Sequence, residues 1–392
     1  MKREELTSRE RVRLALNHRE TDRIPRDLGG TAVSTITLGA CDALTDYLAK
    51  TEGLRVRSGQ VRFANRWGQT VCPDEAILER FKIDTRPIFC GPTRHWRDMW
   101  YQDGKLFVDE WGVLRQRSSE SKYHYYDIIG NPLADATTVD DLERFRWPSG
   151  TDEGRVDGLR EEAKYLYDKT DYALVGNIVG IDIFELTWFL RGFENALMDL
   201  MINQEFAHHV LRKITDIQLQ KSELFLDAVG ECLDVVVLGD DLATQDSLFL
   251  SPEAYRTMVK PYQKELFDLV KAKTPAKLLY HTDGAVRPLI DDLIELGADI
   301  LQPVQVTAVG MDSARLKADF GEKVTFWGGI DNQHIVPHGT TEEVKAEVER
   351  RIRDFSPGGG YVFAAGHNIQ FDVPPENVVA LFDHAYEVGW HI

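Results

Sequence analysis

The segment Leu279-Tyr280-His281-Thr282-Asp283-Gly284 ends an apolar run with an imidazole and a carboxylate two residues apart. In an extended strand, residues i and i+2 project from the same side. His281 and Asp283 therefore point together if the extended register continues. Such a pair can hold one metal ion, or act as a base with its orienter, or simply shape a turn by a hydrogen bond. A second imidazole, His367, follows the apolar run Tyr361-Val362-Phe363-Ala364-Ala365-Gly366. Two histidines and one carboxylate are a sensible donor set for zinc or another divalent ion. Asp240 and Asp241 leave a third apolar run, Val235-Val236-Val237-Leu238-Gly239. Adjacent carboxylates there are candidates for catalysis or for orienting a ligand. Gln245, Gln302 and Gln305 follow similar runs and are candidates for substrate contact, as are Arg26 and Asp27 beyond Ile24-Pro25.

These residues share one context: each sits just past a short apolar segment. Strand candidates at Ile24–Leu28, Ile83–Phe89, Ala173–Val179, Asp234–Leu238, Lys277–His281, Asp299–Pro303, Val324–Gly328 and Tyr361–Ala365 alternate with helix-length segments. Short buried strands separated by helices predict a parallel sheet, and eight units predict closure into a (β/α)8 barrel. Active sites of such barrels lie at the C-terminal strand ends, where the candidates above cluster. An open doubly wound sheet is the alternative, but the chain has neither GxGxxG nor a P-loop. Thr7 with Glu10, and Thr340 with Glu343, are capping-box pairs opening helices. Residues around 93–150 break the alternation. They are aromatic-rich, with Gln102-Asp103-Gly104-Lys105 as a hairpin signal, and predict an antiparallel insertion after the second strand. Trp96, Trp100 and Trp111 either frame the pocket or form the core of that insertion. Residues 1–392 are expected to form one barrel domain with this excursion.

Composition narrows the class. With 46 Lys+Arg against 64 Asp+Glu, the net charge is −18, which disfavours nucleic-acid or anionic-membrane partners. No apolar run reaches the ~20 residues needed to span a bilayer, and the charged start lacks a secretory leader's core. The four cysteines form no CxxC pair and predict reduced thiols in a cytoplasmic enzyme, compatible with a homo-oligomer.

Seven short motifs then occur in order: Arg9-Glu10-Arg11-Val12, Asp22-Arg23-Ile24-Pro25, Asp109-Glu110-Trp111-Gly112, Gly239-Asp240-Asp241, His281-Thr282-Asp283-Gly284, Trp327-Gly328-Gly329-Ile330-Asp331 and Pro374-Pro375-Glu376-Asn377. Together they resemble the uroporphyrinogen decarboxylase superfamily over nearly the whole chain. The resemblance implies a (β/α)8 barrel and either decarboxylation of a carboxylated substrate or corrinoid-linked methyl transfer. It departs from the decarboxylase proper in two places. The substrate-gripping Arg-Gln-Ala-Gly-Arg motif is replaced by Arg26-Asp27-Leu28-Gly29-Gly30-Thr31, and the aspartate after the second strand by Phe89-Cys90-Gly91-Pro92. The methyltransferase branch carries zinc on His-x-Cys and a later Cys. Here His281, Asp283 and His367 stand near those positions, with both thiols replaced. Imidazole and carboxylate leave a metal harder and more Lewis acidic than thiolates do, which suits an ether or phenolate oxygen. The expectation is a methyltransferase using zinc or another divalent ion. It moves methyl from a small O- or N-methylated substrate to the cobalt of a separate corrinoid protein, since no Asp-x-His-x-x-Gly module is present. The competing readings are a metal-free lyase relying on Arg26 and Arg287, and a barrel that binds a small molecule without turnover.

Overall fold

A computed structural model describes residues 4–56, 61–96, 99–118, 125–178 and 182–390. Its centre is a seven-stranded parallel sheet in the order Thr85–Phe89, Ala173–Asn177, Val235–Gly239, Lys277–His281, Ile300–Gln302, Thr325–Trp327, Tyr361–Val362. Neighbours in space are also neighbours in sequence, and helices run between them, as expected of right-handed β–α–β units. The two free edges are joined by residues 25–27. Asp27 N–H donates to the Phe363 carbonyl (2.8 Å), Phe363 N–H to the Pro25 carbonyl (2.9 Å), and Asp84 N–H to the Arg26 carbonyl (2.9 Å). This segment is the eighth stave, so the sheet closes into the expected (β/α)8 barrel. It does so through one isolated bridge, Arg26 to Phe363, and a single backbone bond to Asp84 rather than a regular strand. The Ala173–Val179 candidate ends at Asn177, and Val179 lies outside the described residues.

Alternation along the strands fills the interior. Ala173, Val175, Val235, Val237, Leu279, Ile300, Trp327, Val362 and Ala364 form one inner cluster, and Val12 and Leu16 join it. Those two come from the helix Ser8–Leu16, opened by the Thr7/Glu10 capping box. The helix plugs the bottom of the barrel with its apolar stripe. The other face of the strands packs beneath the surrounding helices, including Gln204–Val229, Lys260–Lys273, Thr341–Phe355 and Pro375–Val388.

The insertion is present as a four-stranded antiparallel sheet, Met99–Tyr101, Leu106–Val108, Leu114–Arg117 and Tyr126–Gly130, with the tight turn at Gln102–Gly104. A second small antiparallel sheet, Ile36–Thr37, Thr70–Val71 and Phe63–Asn65, precedes the Thr85–Phe89 strand. The sequence reading did not anticipate it, because runs of two or three residues carry no readable alternation.

Charge is buried at the bottom of the barrel. Asp84 is fully enclosed and takes Arg23 on both oxygens (2.7 and 2.9 Å), Arg11 (2.8 Å), Ser8 Oγ (2.7 Å) and the Arg26 N–H (2.9 Å). Arg11 also holds Asp22 at 2.7 Å. The Arg9–Val12 and Asp22–Pro25 motifs thus tie the plug helix and the eighth stave to the Thr85–Phe89 strand. Burial pushes the Asp84 carboxyl up, but the Arg23 and Arg11 guanidiniums overcome this and hold it below the usual carboxylate range.

Replacing Asp84 by Asn should destabilise the fold by about 3–5 kcal/mol, because Arg11 and Arg23 lose the one fully buried carboxylate they share and keep only the less buried Asp22 and Glu4. The folded pKa lies below the unfolded value of ~3.9. The stabilisation is therefore complete above about pH 4 and is lost as pH falls further. Urea denaturation should show a wild-type-to-variant gap that narrows below pH 4. A gap that stays constant from pH 7 to pH 3 would contradict this assignment.

Candidate metal centre at the barrel mouth

The strand Lys277–His281 pairs in register with Ile300–Gln302, so His281 and Gln302 stand side by side. The Gln302 amide oxygen lies 2.6 Å from His281 Nδ1. An acceptor there makes Nδ1 the donor and leaves the Nε2 lone pair facing the mouth. On the other side, the backbone of Val235–Gly239 runs so close that a Cβ at Gly239 would lie 2.7 Å from both the Cβ and the carbonyl oxygen of His281. Only glycine lets these strands approach here.

Past His281 the chain turns sharply. Leu242 N–H donates to Thr282 Oγ1 (3.2 Å), Asp283 N–H to Asp241 Oδ1 (2.9 Å) and Gly284 N–H to Gln305 Oε1 (2.8 Å). The Asp283 carboxylate is thereby aimed back at the mouth. His367 enters from the opposite side of the ring, on the loop fixed by the Gly366 N–H bond to the Ile330 carbonyl (3.1 Å). His281 Nε2 is 4.0 Å and His367 Nε2 3.7 Å from Asp283 Oδ2, and the imidazole centroids are 5.7 Å apart. One donor atom from each of the three residues falls within 4.8 Å of the others. Tetrahedral zinc with donors at 2.0–2.1 Å needs donor–donor spacings of about 3.4 Å, which small side-chain movements from this arrangement supply. Burial, with His281 beside it, holds the His367 imidazole down to about 4, so it is neutral and ligand-competent at neutral pH. Burial pushes the Asp283 carboxyl up.

Asp241 faces the same cavity, 3.9 Å from His281 Nε2. Burial and neighbouring Asp283 raise its pKa. Beside it stands Glu185, a residue the sequence reading missed. It heads the helix Phe184–Arg191, and among the described residues its carboxylate accepts one hydrogen bond, from the Asp241 N–H at 3.3 Å. Burial, together with Asp241 and Asp240, pushes it well above the usual range. Its only sequence signal is a glutamate opening a helix just after a buried strand.

Asp240 does not face the cavity. It is fully buried and accepts N–H bonds from Ile183 (3.0 Å) and Glu185 (2.9 Å) and a bond from Gln263 Nε2 (2.9 Å). Its expected catalytic role is corrected to positioning: it anchors the start of the helix that carries Glu185. Arg26 and Asp27 are likewise corrected. The Arg26 guanidinium is buried on the carbonyls of Phe382 (3.2 Å) and Lys82 (3.0 Å), over the ring of Tyr386. Asp27 is enclosed inside the barrel by Gly30 N–H (2.8 Å), Ser34 Oγ (2.5 Å), Thr85 Oγ1 and Trp327 Nε1 (2.9 Å). Neither has surface left for a substrate. Gln302 is fully buried and orients His281. Gln305 pins the Gly284 turn and bonds Gln245, whose own amide reaches Thr307 (3.1 Å). These three glutamines brace the site and do not line it.

The cavity itself, about 90 Å³, is lined by Glu185, Asp241, His281 and His367 at its floor. Trp67, Gly68 and Tyr125 contribute to its outer wall, together with Asn65, Thr70 and Asn368. No lysine or arginine lines it among the described residues. Trp96, Trp100 and Trp111 do not frame it. Trp100 packs on Phe107 (4.7 Å) and Trp111 on Trp147 (6.5 Å), within the insertion and its base. A separate crevice of about 140 Å³ near Trp96 and Trp147 lies away from the strand ends, and its Glu110 is consumed by Arg155 (2.7 Å).

Gln302→Ala should weaken zinc binding by about 10- to 100-fold, the usual cost of losing a partner that orients a ligating histidine. Gln302→Glu, which keeps an acceptor at Nδ1, should restore it. Chelator competition measures both. Unchanged affinity in the alanine variant would remove Gln302 from this role.

Comparison with known proteins places the chain. A family profile described as Uroporphyrinogen decarboxylase (URO-D) matches residues 121–388. A uroporphyrinogen decarboxylase of Chlorobium limicola is 28% identical over 186 residues, covering 47% of this chain and 49% of the relative. One from Thioalkalivibrio sulfidiphilus is 30% identical over 145 residues, covering 36% and 39%. The chain thus spans about half or less of the length of these curated relatives. Among solved structures, a methyltransferase from Methanosarcina mazei superposes with a TM-score of 0.63 at 18% identity, over 98% of this chain and 99% of that one. At that identity the likeness establishes the shared barrel fold. With more than half of its length matched by the family profile, the chain belongs to the uroporphyrinogen decarboxylase family.

Proposed function

We propose that this protein is a metal-dependent methyltransferase of a corrinoid system. In this reading it transfers methyl from a small O- or N-methylated compound to the cobalt of a reduced corrinoid, which a separate protein presents at the barrel mouth. The observation that carries the reading is the meeting of His281, Asp283 and His367, the two imidazoles lining a cavity in which no described lining residue is cationic. The donor set fits a divalent ion. The imidazoles offer nitrogen lone pairs, Asp283 offers an oxygen, and His281 is already oriented by Gln302.

A bound divalent ion, zinc by preference, would supply Lewis acidity at the heteroatom that loses its methyl group. The chain's own residues do the rest. Asp241 receives the Asp283 N–H and so sets the angle at which that carboxylate enters the site. Glu185, whose carboxyl burial pushes upward, faces the cavity as the group placed to protonate the departing heteroatom. Asp240 holds Glu185 in place from behind. The competing carboxy-lyase reading needs cations to grip substrate carboxylates. Its candidates are engaged elsewhere, Arg26 on backbone carbonyls and Arg287 on Asp319.

Elemental analysis of protein purified without chelator should find about one divalent ion per chain. His281→Ala should lose the ion and the ability to methylate free reduced corrinoid, while its thermal unfolding stays near wild type because the rim adds little to the core. Retention of full metal content and full activity by that variant would sink the proposal. Glu185→Gln should keep the metal and lower kcat by about 10²- to 10⁴-fold, the range for a lost acid–base group. An unchanged kcat would exclude Glu185 from proton transfer.

A further inference from the structure

The outer wall of the cavity is built from the two antiparallel excursions, not from the barrel. Trp67 and Gly68 come from the turn between Phe63–Asn65 and Thr70–Val71, and Tyr125 immediately precedes the Tyr126–Gly130 strand. The two pieces are fastened to each other, because Tyr126 N–H donates to the Trp67 carbonyl at 3.0 Å. The Tyr125 ring packs against the chain at Gly68, where an added Cβ would lie 3.5 Å from Cε1, and Gln370 Nε2 donates to the Tyr125 hydroxyl at 2.6 Å. The Trp67 indole is held by the buried Arg115 guanidinium, 4.9 Å from its centroid, and Arg115 is paired with Asp109 at 3.3 Å. Two fixed aromatic rings therefore face a floor of two histidines and the carboxylates Asp241 and Glu185.

We propose that this wall makes the site selective for an uncharged methyl ether on a single aromatic ring, with Trp67 and Tyr125 as specificity-determining residues. The inference rests on the methyltransferase reading and names its substrate class. Three observations converge. With the two charges of a bound divalent ion offset by Asp283 and Asp241, an anionic substrate would find no further positive charge, because the described residues that line the cavity include no lysine or arginine. A quaternary ammonium would need the aromatic face as its partner, yet Arg115 already places a positive charge on the Trp67 ring. The volume of about 90 Å³ is well below the ~300–1,000 Å³ of sites for drug-sized ligands, which suits one small ring and excludes a tetrapyrrole. Flat aromatic walls favour a flat aromatic body through offset or edge contacts.

The test uses the full-length chain loaded with zinc, its metal content measured first. Calorimetric titration compares 2-methoxyphenol, 4-methoxybenzoate, tetramethylammonium and methanol at neutral pH. The expected result is binding of 2-methoxyphenol, with 4-methoxybenzoate at least ~10-fold weaker. Trp67→Leu and Tyr125→Leu should each weaken 2-methoxyphenol by about 10-fold with zinc content unchanged. The inference is overturned if 4-methoxybenzoate binds as tightly, if tetramethylammonium or methanol binds best, if none of the four binds, or if both leucine variants bind 2-methoxyphenol like wild type. Failure to take up zinc at all would instead sink the methyltransferase reading. The wild-type ligand ranking decides the question even if a leucine variant does not fold.

Discussion

Negative charge buried at the barrel mouth is the constraint around which the upper half of this molecule is arranged. Asp240, Asp241, Asp283 and Glu185 all lie at or just beyond the C-terminal strand ends, and the cavity that Asp241 and Glu185 line has no lysine or arginine among its described lining residues. Removing a carboxylate from water costs several kcal/mol unless something compensates. Asp240 is compensated by two backbone N–H groups and an amide, and the price is that it can do nothing else. Asp241 spends one oxygen on the Asp283 N–H. The Glu185 carboxylate has one long N–H contact, and burial beside Asp241 and Asp240 pushes its pKa up. What remains is a site that a divalent cation would complete, with two imidazoles already in position to share it.

The lower half solves a similar problem differently. Asp84 is as deeply buried as Asp240, but it is met by two guanidiniums whose charges it neutralises. Those arginines belong to the plug helix and to the approach to the eighth stave, so the ion cluster also closes the barrel. This division follows the general habit of (β/α)8 enzymes, in which the N-terminal face carries stability and the C-terminal face carries chemistry. It accounts for Arg26, whose guanidinium points into the packing beneath the last helix, Pro375–Val388, and never reaches the mouth.

Between these halves the barrel is a frame that leaves specificity to its insertions. The floor of the cavity comes from the strand end at His281, from Asp241, from the helix start at Glu185 and from the loop at His367. The wall facing that floor comes from short antiparallel segments that contribute almost nothing to the barrel interior. Their own rigidity comes from the Arg115–Trp67 contact and the Tyr126–Trp67 backbone bond. Changes in those segments can alter what enters the cavity while the arrangement of His281, Asp283 and His367 stays put.

The sequence by itself determined the barrel and the gathering of His281, Asp283 and His367 at one rim. Alternation of short apolar runs with amphipathic helices is a local property, and residues at strand ends must gather at one rim, so His281, Asp283 and His367 could be named together. Asp241 was legible for the same reason. Tertiary structure decided the direction of each remaining side chain. Asp240 and Asp241 are adjacent in sequence, yet one turns toward the Phe184–Arg191 helix and the other toward the cavity, because neighbours in extended backbone face opposite ways. Gln302 became a brace through the register that sets it against His281. Trp67 and Tyr125 carried no signal, since they sit in segments too short to show a period. Glu185 was hidden for a related reason: its role depends on Asp240 holding a helix end against a strand more than fifty residues away, and only the closed barrel brings those two together.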